Sequence, residues 1–200
     1  MSNSHSFSAI VLAGGQSSRM GRDKALIRVG GVPLLQRVCE VALQCTTEVY
    51  VVTSWIERYQ GVVPSTCQLI KETLPSAESK PQGPLVGFAQ GLTYVKTEWV
   101  LLLACDLPCL QSDVIQQWTG ELERSGGAIA LLPRTEKGWE PLCGFYQTRC
   151  LPSLNAAINR GERSFQRWLA QEVIKEIPLN DSTLLLNCNT PSDLESVTSY

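Results

Sequence analysis

The sequence predicts an α/β protein with a central, mostly parallel sheet and helices on both faces. Three observations lead there. Apolar or β-branched runs at 7–12, 48–53 and 99–104 read as buried strands. A stretch with helical spacing, 33–45, separates the first two, as a βαβ unit requires. The run Trp99-Val-Leu-Leu-Leu-Ala104 is the most apolar in the chain and suits a central strand covered on both faces.

The 200 residues fit one domain with one substantial core, spanning 1–200 with a disordered tail at 1–6. No repeat, low-complexity stretch or linker divides them. A hydrophobic share of 44% is ordinary for a globular chain, and a charged share of 18% is somewhat low. The net charge is −2, with Lys and Arg scattered, which argues against nucleic acid or a membrane surface as partner. No apolar run reaches the roughly 18 residues of a membrane span. Eight cysteines include no Cys-x-x-Cys pair, and the one histidine, His5, lies in the polar tail, which argues against zinc. With no signal peptide at its start, the chain is expected to be cytoplasmic with reduced thiols.

The first strand breaks into Ala13-Gly14-Gly15, followed by Ser17, Ser18, Arg19, Gly21 and Arg22-Asp23-Lys24. Glycines let the backbone turn sharply and approach a ligand. Free N–H groups form an anion-binding concavity, and the cations balance negative charge. A P-loop needs Lys-Ser/Thr directly after its last glycine, but Arg22-Asp23 follow Gly21. The G-x-G-x-x-G spacing of a dinucleotide fingerprint is absent as well. The stretch reads as a phosphate-binding loop of another kind; the alternative is a Gly-rich strand-to-helix turn with solvated charges.

The string Leu-Ala-Gly-Gly-x-Ser-x-Arg-Met-Gly-x-Asp-Lys, present as Leu12 to Lys24, resembles the signature of the molybdenum cofactor guanylyltransferases (MobA-type). That family lies within the wider nucleotidyltransferases of Rossmann-like fold, which share a looser Gly-Gly-x-x-x-Arg-Met-x-x-x-x-Lys pattern. Asp23 directly before Lys24 points to the branch that acts on pterin cofactors.

Further along, Pro33 stands where a helix begins, and Leu34, Leu35, Val38, Val41, Ala42 and Cys45 recur at helical spacing. A short strand is expected at 67–70 and a loop over 73–82. Gly83-Pro84-Leu85-Val86-Gly87 opens a helix running to about Val95, with Pro84 near its first position. Its free N–H groups either face a ligand or simply begin a closely packed helix. The Gly-Pro-Leu-x-Gly string also resembles the family. The 99–104 strand runs into Cys105-Asp106-Leu107-Pro108. A carboxylate at the C-terminal end of a central parallel strand lies where open α/β sheets bind ligands. Facing a triphosphate it needs a cation between them, so Asp106 is the expected Mg²⁺ ligand. The alternative, that Asp106 caps the next helix, is weaker because Ser112 is better placed to cap a helix over 113–125.

Strands are expected at 127–132 and 140–146, the second resembling the family's Pro-Leu-x-x-x-Tyr segment beside the active site. Helices follow at 151–159, ended by Gly161, and at 164–171. Gly161-Glu162-Arg163 resembles a Gly-x-Arg segment on the pterin side. Arg163 is either a ligand of the acceptor's phosphate or a solvated arginine. Short edge strands are expected at 173–177 and 183–186. Asn187-Cys-Asn189-Thr-Pro191-Ser-Asp193-Leu resembles the family's tail motif, which makes Asn187 and Asn189 candidates for the acceptor and Asp193 mostly structural.

The resemblance spans nearly the whole chain. It implies that GTP and molybdenum-bearing molybdopterin are the substrates, that GMP passes to the pterin's terminal phosphate, and that pyrophosphate leaves. Leu12, Ala13, Gly14 and Gly15 would hold base and phosphates, Arg19 and Lys24 would stabilise the pyrophosphate, and Mg²⁺ on Asp106 would bridge the phosphates. Ser54, Glu72, Gly83, Pro84 and Leu85 complete the expected nucleotide site, and transient contact with proteins that donate and receive the cofactor is expected. Two places depart from the family: Thr53-Ser54 stand where it has an asparagine after the second strand, and Glu72 stands where it has an aspartate just ahead of the long loop. The alternatives are a cytidylyltransferase on the same pterin and a non-catalytic carrier of the cofactor.

Overall fold

The computed structural model describes residues 6–14, 23–73, 82–179 and 181–186. In chain order the strands are β1 (Phe7–Leu12), β2 (Arg28–Val29), β3 (Val32–Pro33), β4 (Val49–Thr53), β5 (Gln68–Lys71), β6 (Trp99–Ala104), β7 (Ala130–Leu132), β8 (Arg134–Thr135), β9 (Gly138–Trp139), β10 (Cys143–Gln147) and β11 (Ile174–Glu176). The helices are α1 (Leu34–Leu43), α2 (Ile56–Tyr59), α3 (Pro84–Leu92), α4 (Ser112–Thr119), α5 (Leu151–Asn159) and α6 (Phe165–Leu169). Seven strands form one sheet in the order β11-β7-β10-β6-β1-β4-β5. The four strands β6-β1-β4-β5 are mutually parallel, and β10 runs antiparallel between β6 and β7.

Alternation along β1 explains the two helical layers. Ala9 and Val11 join one core with Leu35 and Val38 of α1 and with Ile115 and Trp118 of α4. Ile10 faces the other way, into a core with Leu85 and Phe88 of α3, Leu154 of α5 and Trp168 of α6. Both faces of β6 are covered, which is why its sequence is apolar at every position. Each large side chain so buried contributes about 1.5–3 kcal/mol.

The chain leaves β1 through α1 to β4 and β5 on one side, then recrosses on the opposite face through α3 to β6 on the other side. The direction of winding therefore switches between β1 and β6. An open sheet leaves a crevice there, at the C-terminal strand ends. Register aligns those ends: Leu12 lies opposite both Ala104 and Val52.

Several local expectations are corrected. Pro33 does not begin the first helix; it pairs with Arg28 in the β2–β3 ribbon, whose turn uses Gly30 and Gly31 at φ 58° and 84°. Ser112 does not cap the helix after Asp106: it is the helix's first residue, and Gln111 precedes it in extended conformation with no side-chain cap. That helix ends at Thr119, well short of 125. The 183–186 stretch is no strand. Asp181 accepts from the Thr183 N–H at 2.8 Å and starts a 3-10 turn over Ser182–Leu185 that buries Leu184 and Leu185. The expected tail at 1–6, apart from Ser6, lies outside the described residues, as does the motif at 187–194.

Candidate active site

Four adjacent strand ends carry the candidate residues in a row. Leu12 ends β1 and Ala13 and Gly14 follow it, Asp106 follows β6, Ser54 follows β4 and Glu72 follows β5. Backbone bonds tie the row together: the Cys105 N–H donates to the Leu12 carbonyl at 3.2 Å, Ala13 N–H to the Val52 carbonyl at 2.9 Å, and Glu72 N–H to the Thr53 carbonyl at 2.8 Å. Parallel strands about 4.8 Å apart thus hold these groups at fixed spacing.

On one side of this row, Lys24 Nζ lies 3.5 Å from Asp106 Oδ2, with side chains 21% and 19% exposed. A pair of that length and exposure adds at most about 1 kcal/mol to folding. Stability alone is thus a weak reason for both residues. The Arg37 guanidinium of α1 reaches the Pro108 carbonyl at 3.4 Å and ties the Asp106 turn to the helical layer. Burial first, then the Asp106 and Asp23 carboxylates, push the neighbouring Cys105 thiol far up.

On the other side, Ser54 Oγ donates to Glu72 Oε2 at 2.7 Å. Glu72 is buried, and a Cβ placed on Gly14 would lie 3.9 Å from that same oxygen. The Gly14 backbone, Ser54 and Glu72 therefore converge on one small polar corner. Thr53 is fully buried, and its hydroxyl accepts from the Trp55 N–H, so it faces inward. Of the residues that depart from the family pattern, Ser54 and Glu72 are thus one hydrogen-bonded unit.

Gly83 has φ 96°, open to glycine, and places Pro84 at the first position of α3. The Leu85 side chain is fully buried, so only its N–H can face a ligand. A Cβ on Gly87 would stand 3.7 Å from Leu12 Cδ2, which sets the first turns of α3 against the end of β1. Arg163 is exposed and donates to the Gln82 side chain at 3.1 Å, and to the Ile158 and Glu162 carbonyls. It is thereby joined to the residue before Gly83. Beside it, N–H groups of Ser164 and Arg163 and the Arg167 guanidinium hold the Glu162 carboxyl below its ordinary range, with Ser164 first.

Asp23 is not a free acid of the loop. Its Oδ1 accepts from Ala25 N–H at 3.2 Å, and its Oδ2 accepts from Arg58 Nη1 at 2.9 Å and from the Tyr59 hydroxyl at 2.7 Å. The Arg58 guanidinium also lies 5.0 Å over the Trp55 ring. Burial, then the bond to Asp23, push the Tyr59 hydroxyl far up. The sequence carries little signal for this: Arg58 and Tyr59 stand on a four-residue helix, too short for periodicity.

Among the described residues no three carboxylates, thiols or imidazoles converge into a metal cage. One partly buried carboxylate, Asp106, suits Mg²⁺ that draws most of its oxygens from phosphates and water. The donor set fits an ion arriving with a polyphosphate. Gly15, Arg19, Asn187 and Asn189 lie outside the described residues. The seven cysteines among the described residues are free thiols. No helix is long and apolar enough to cross a membrane, among the described residues.

Comparison with known proteins gives consistent results. The MobA-like NTP transferase domain family matches residues 9–175. A probable molybdenum cofactor guanylyltransferase of Trichormus variabilis is 56% identical over 191 residues, 95% of this chain and 89% of that protein. One of the same description from Synechococcus elongatus is 41% identical, covering 96% of this chain and 97% of its own. The crystal structure of molybdopterin-guanine dinucleotide biosynthesis protein A from Archaeoglobus fulgidus superposes with a TM-score of 0.78 at 22% identity, covering 96% of this chain and 97% of that one.

Proposed function

The chain belongs to the MobA-like NTP transferase domain family, and on that premise we propose that it transfers GMP from GTP to the terminal phosphate of molybdenum-bearing molybdopterin, releasing pyrophosphate. It is a nucleotidyltransferase of Rossmann-like fold. The relatives at 56% and 41% identity are described as guanylyltransferases of the molybdenum cofactor, which supports the choice of substrates. The observation that carries the chemistry is the meeting of Lys24 with Asp106 at the crevice between β1 and β6.

In this reading a phosphate oxygen of the acceptor attacks the α-phosphorus of GTP in line with the departing pyrophosphate. The protein must align two polyanions and spread developing charge. The backbone of Leu12, Ala13, Gly14 and Gly15 holds the nucleotide. Lys24, together with Arg19, stabilises the leaving pyrophosphate. Ser54 and Glu72 bind the nucleoside end, and Gly83, Pro84 and Leu85 lend the start of α3. Asp106 would hold Mg²⁺, which would supply charge neutralisation on the phosphates. No general base is needed, because the attacking phosphate is ionised at neutral pH. Arg163, Asn187 and Asn189 are the residues assigned to binding the acceptor. The chain works as one domain in the cytoplasm, away from nucleic acid and membrane, and meets proteins that donate and receive the cofactor only transiently.

The test is calorimetric titration of the chain with GTP and with CTP, each with Mg²⁺, followed by an assay for GMP transfer to the pterin. Selective GTP binding and transfer is the expected result. Selective CTP binding would move the chain to cytidylyl transfer with the same loop and metal ligand. GTP binding without transfer would favour a cofactor carrier.

A further inference from the structure

We infer that Tyr59 and Arg58 are positioning residues for Lys24, acting through Asp23. The inference rests on the reading in which Lys24 binds the pyrophosphate of the nucleotide. Lys24 is a flexible point charge on a four-carbon stem, so its usefulness depends on how firmly its backbone is held. Three residues on two elements, Asp23 at the 3-10 turn and Arg58 and Tyr59 on α2, meet to hold it. Asp23 starts the 3-10 turn Lys24–Leu26: its Oδ1 accepts from Ala25 N–H, and its carbonyl accepts from Leu26 N–H at 3.1 Å. Its other carboxylate oxygen is fixed from outside the loop by Tyr59 at 2.7 Å and Arg58 at 2.9 Å.

The two donors are anchored differently. The Tyr59 ring is 1% exposed and sits in the core with Val38 and Cys39 of α1, so its hydroxyl is placed by packing. Arg58 is half exposed and held by Trp55. Both stand on α2, which begins two residues after Ser54. The brace thus ties the end of the glycine loop to the strand end that carries the nucleoside corner. Arg58 has a second effect. It neutralises Asp23, one residue from Lys24, whose charge would otherwise repel a triphosphate. A preformed lysine spends less of its binding energy on ordering when the anion arrives.

A double-mutant cycle separates this role from plain folding support. Inorganic pyrophosphate, with Mg²⁺, is titrated calorimetrically into the wild-type chain, Tyr59→Phe, Lys24→Ala and the double variant. Tyr59→Phe is expected to weaken pyrophosphate binding about tenfold, the size of one lost bond to a charged group. In the Lys24→Ala background it is expected to weaken it no further. Equal weakening in both backgrounds, no weakening in a folded Tyr59→Phe, or no pyrophosphate binding by the wild type overturns the inference. If Tyr59→Phe does not fold, Arg58→Lys, which keeps the charge facing Asp23 but gives up the fixed guanidinium fork, takes its place in the cycle. Wild-type chain that binds pyrophosphate yet transfers no GMP overturns the transfer reading alone, and the cycle still decides the brace.

Discussion

Lys24 is the residue at which charge stabilisation and folding separate most cleanly. Its pair with Asp106 is long and partly solvated, so removing it costs little stability. Its ammonium is nonetheless aimed at the crevice. Lys24→Ala is expected to keep its thermal midpoint within a few degrees and to lower kcat for GMP transfer about 10²- to 10³-fold, the scale for losing one preorganised charge partner. Steady-state kinetics beside a melting curve checks this, and a kcat within twofold of wild type removes Lys24 from the chemistry. Lys24 and Asp106 are legible in the sequence because each stands at a fixed offset from an apolar strand and a turn signal. The partners of Asp23 are not, since Arg58 lies 35 residues away and is brought back only by the β1–β4 pairing. Ser54 and Glu72 were legible singly, as departures from a pattern, but their 2.7 Å bond becomes visible only when β4 and β5 lie side by side.

Strand packing sets a stricter requirement at β10 than the apolar pattern suggests. A Cβ on Gly144 would stand 2.7 Å from both the Leu131 carbonyl oxygen and Leu132 Cδ2. The first of these is backbone and cannot rotate away, so β10 and β7 would have to part. Gly144→Ala is expected to cost about 1–3 kcal/mol, which for a chain of this size lowers the melting temperature by about 3–10 °C. A melting temperature within one degree of wild type would mean the two strands separate freely there. Elements with strong periodicity or uninterrupted apolar runs were legible: β1, β6 and α5 have the bounds the sequence suggests. The shortest elements were not. In 183–186 three consecutive leucines imitate a strand, but the Asp181 side chain closes a turn before any ladder can form. The proline at 33 imitates a helix start, but the two glycines ahead of it close a ribbon instead.

At the scale of the whole molecule, the fold brings charge of both signs to one end of a sheet whose interior is apolar. The parallel pairing β6-β1-β4-β5 aligns four strand ends, and the switch in winding beside β1 keeps any helix from covering them. That the sheet is mostly parallel was legible from the βαβ spacing; the order of its strands was not, nor was the antiparallel insertion of β10, because an internal strand buried on both faces looks the same in either direction. A ligand seated across those ends touches both halves of the winding and stabilises the entire cooperative unit. At a hundred times its dissociation constant, GTP with Mg²⁺ should add about 2.7 kcal/mol, a rise of about 5–10 °C in melting temperature. Asp106→Asn keeps the size and polarity of the side chain but removes the charge proposed to hold the ion. Its melting temperature with GTP should therefore rise equally with and without Mg²⁺, while the wild type gains more when Mg²⁺ is present. Equal dependence on Mg²⁺ in both proteins would mean that Asp106 serves only as the counterion of Lys24, and the ion would have to be held by the phosphates without help from β6.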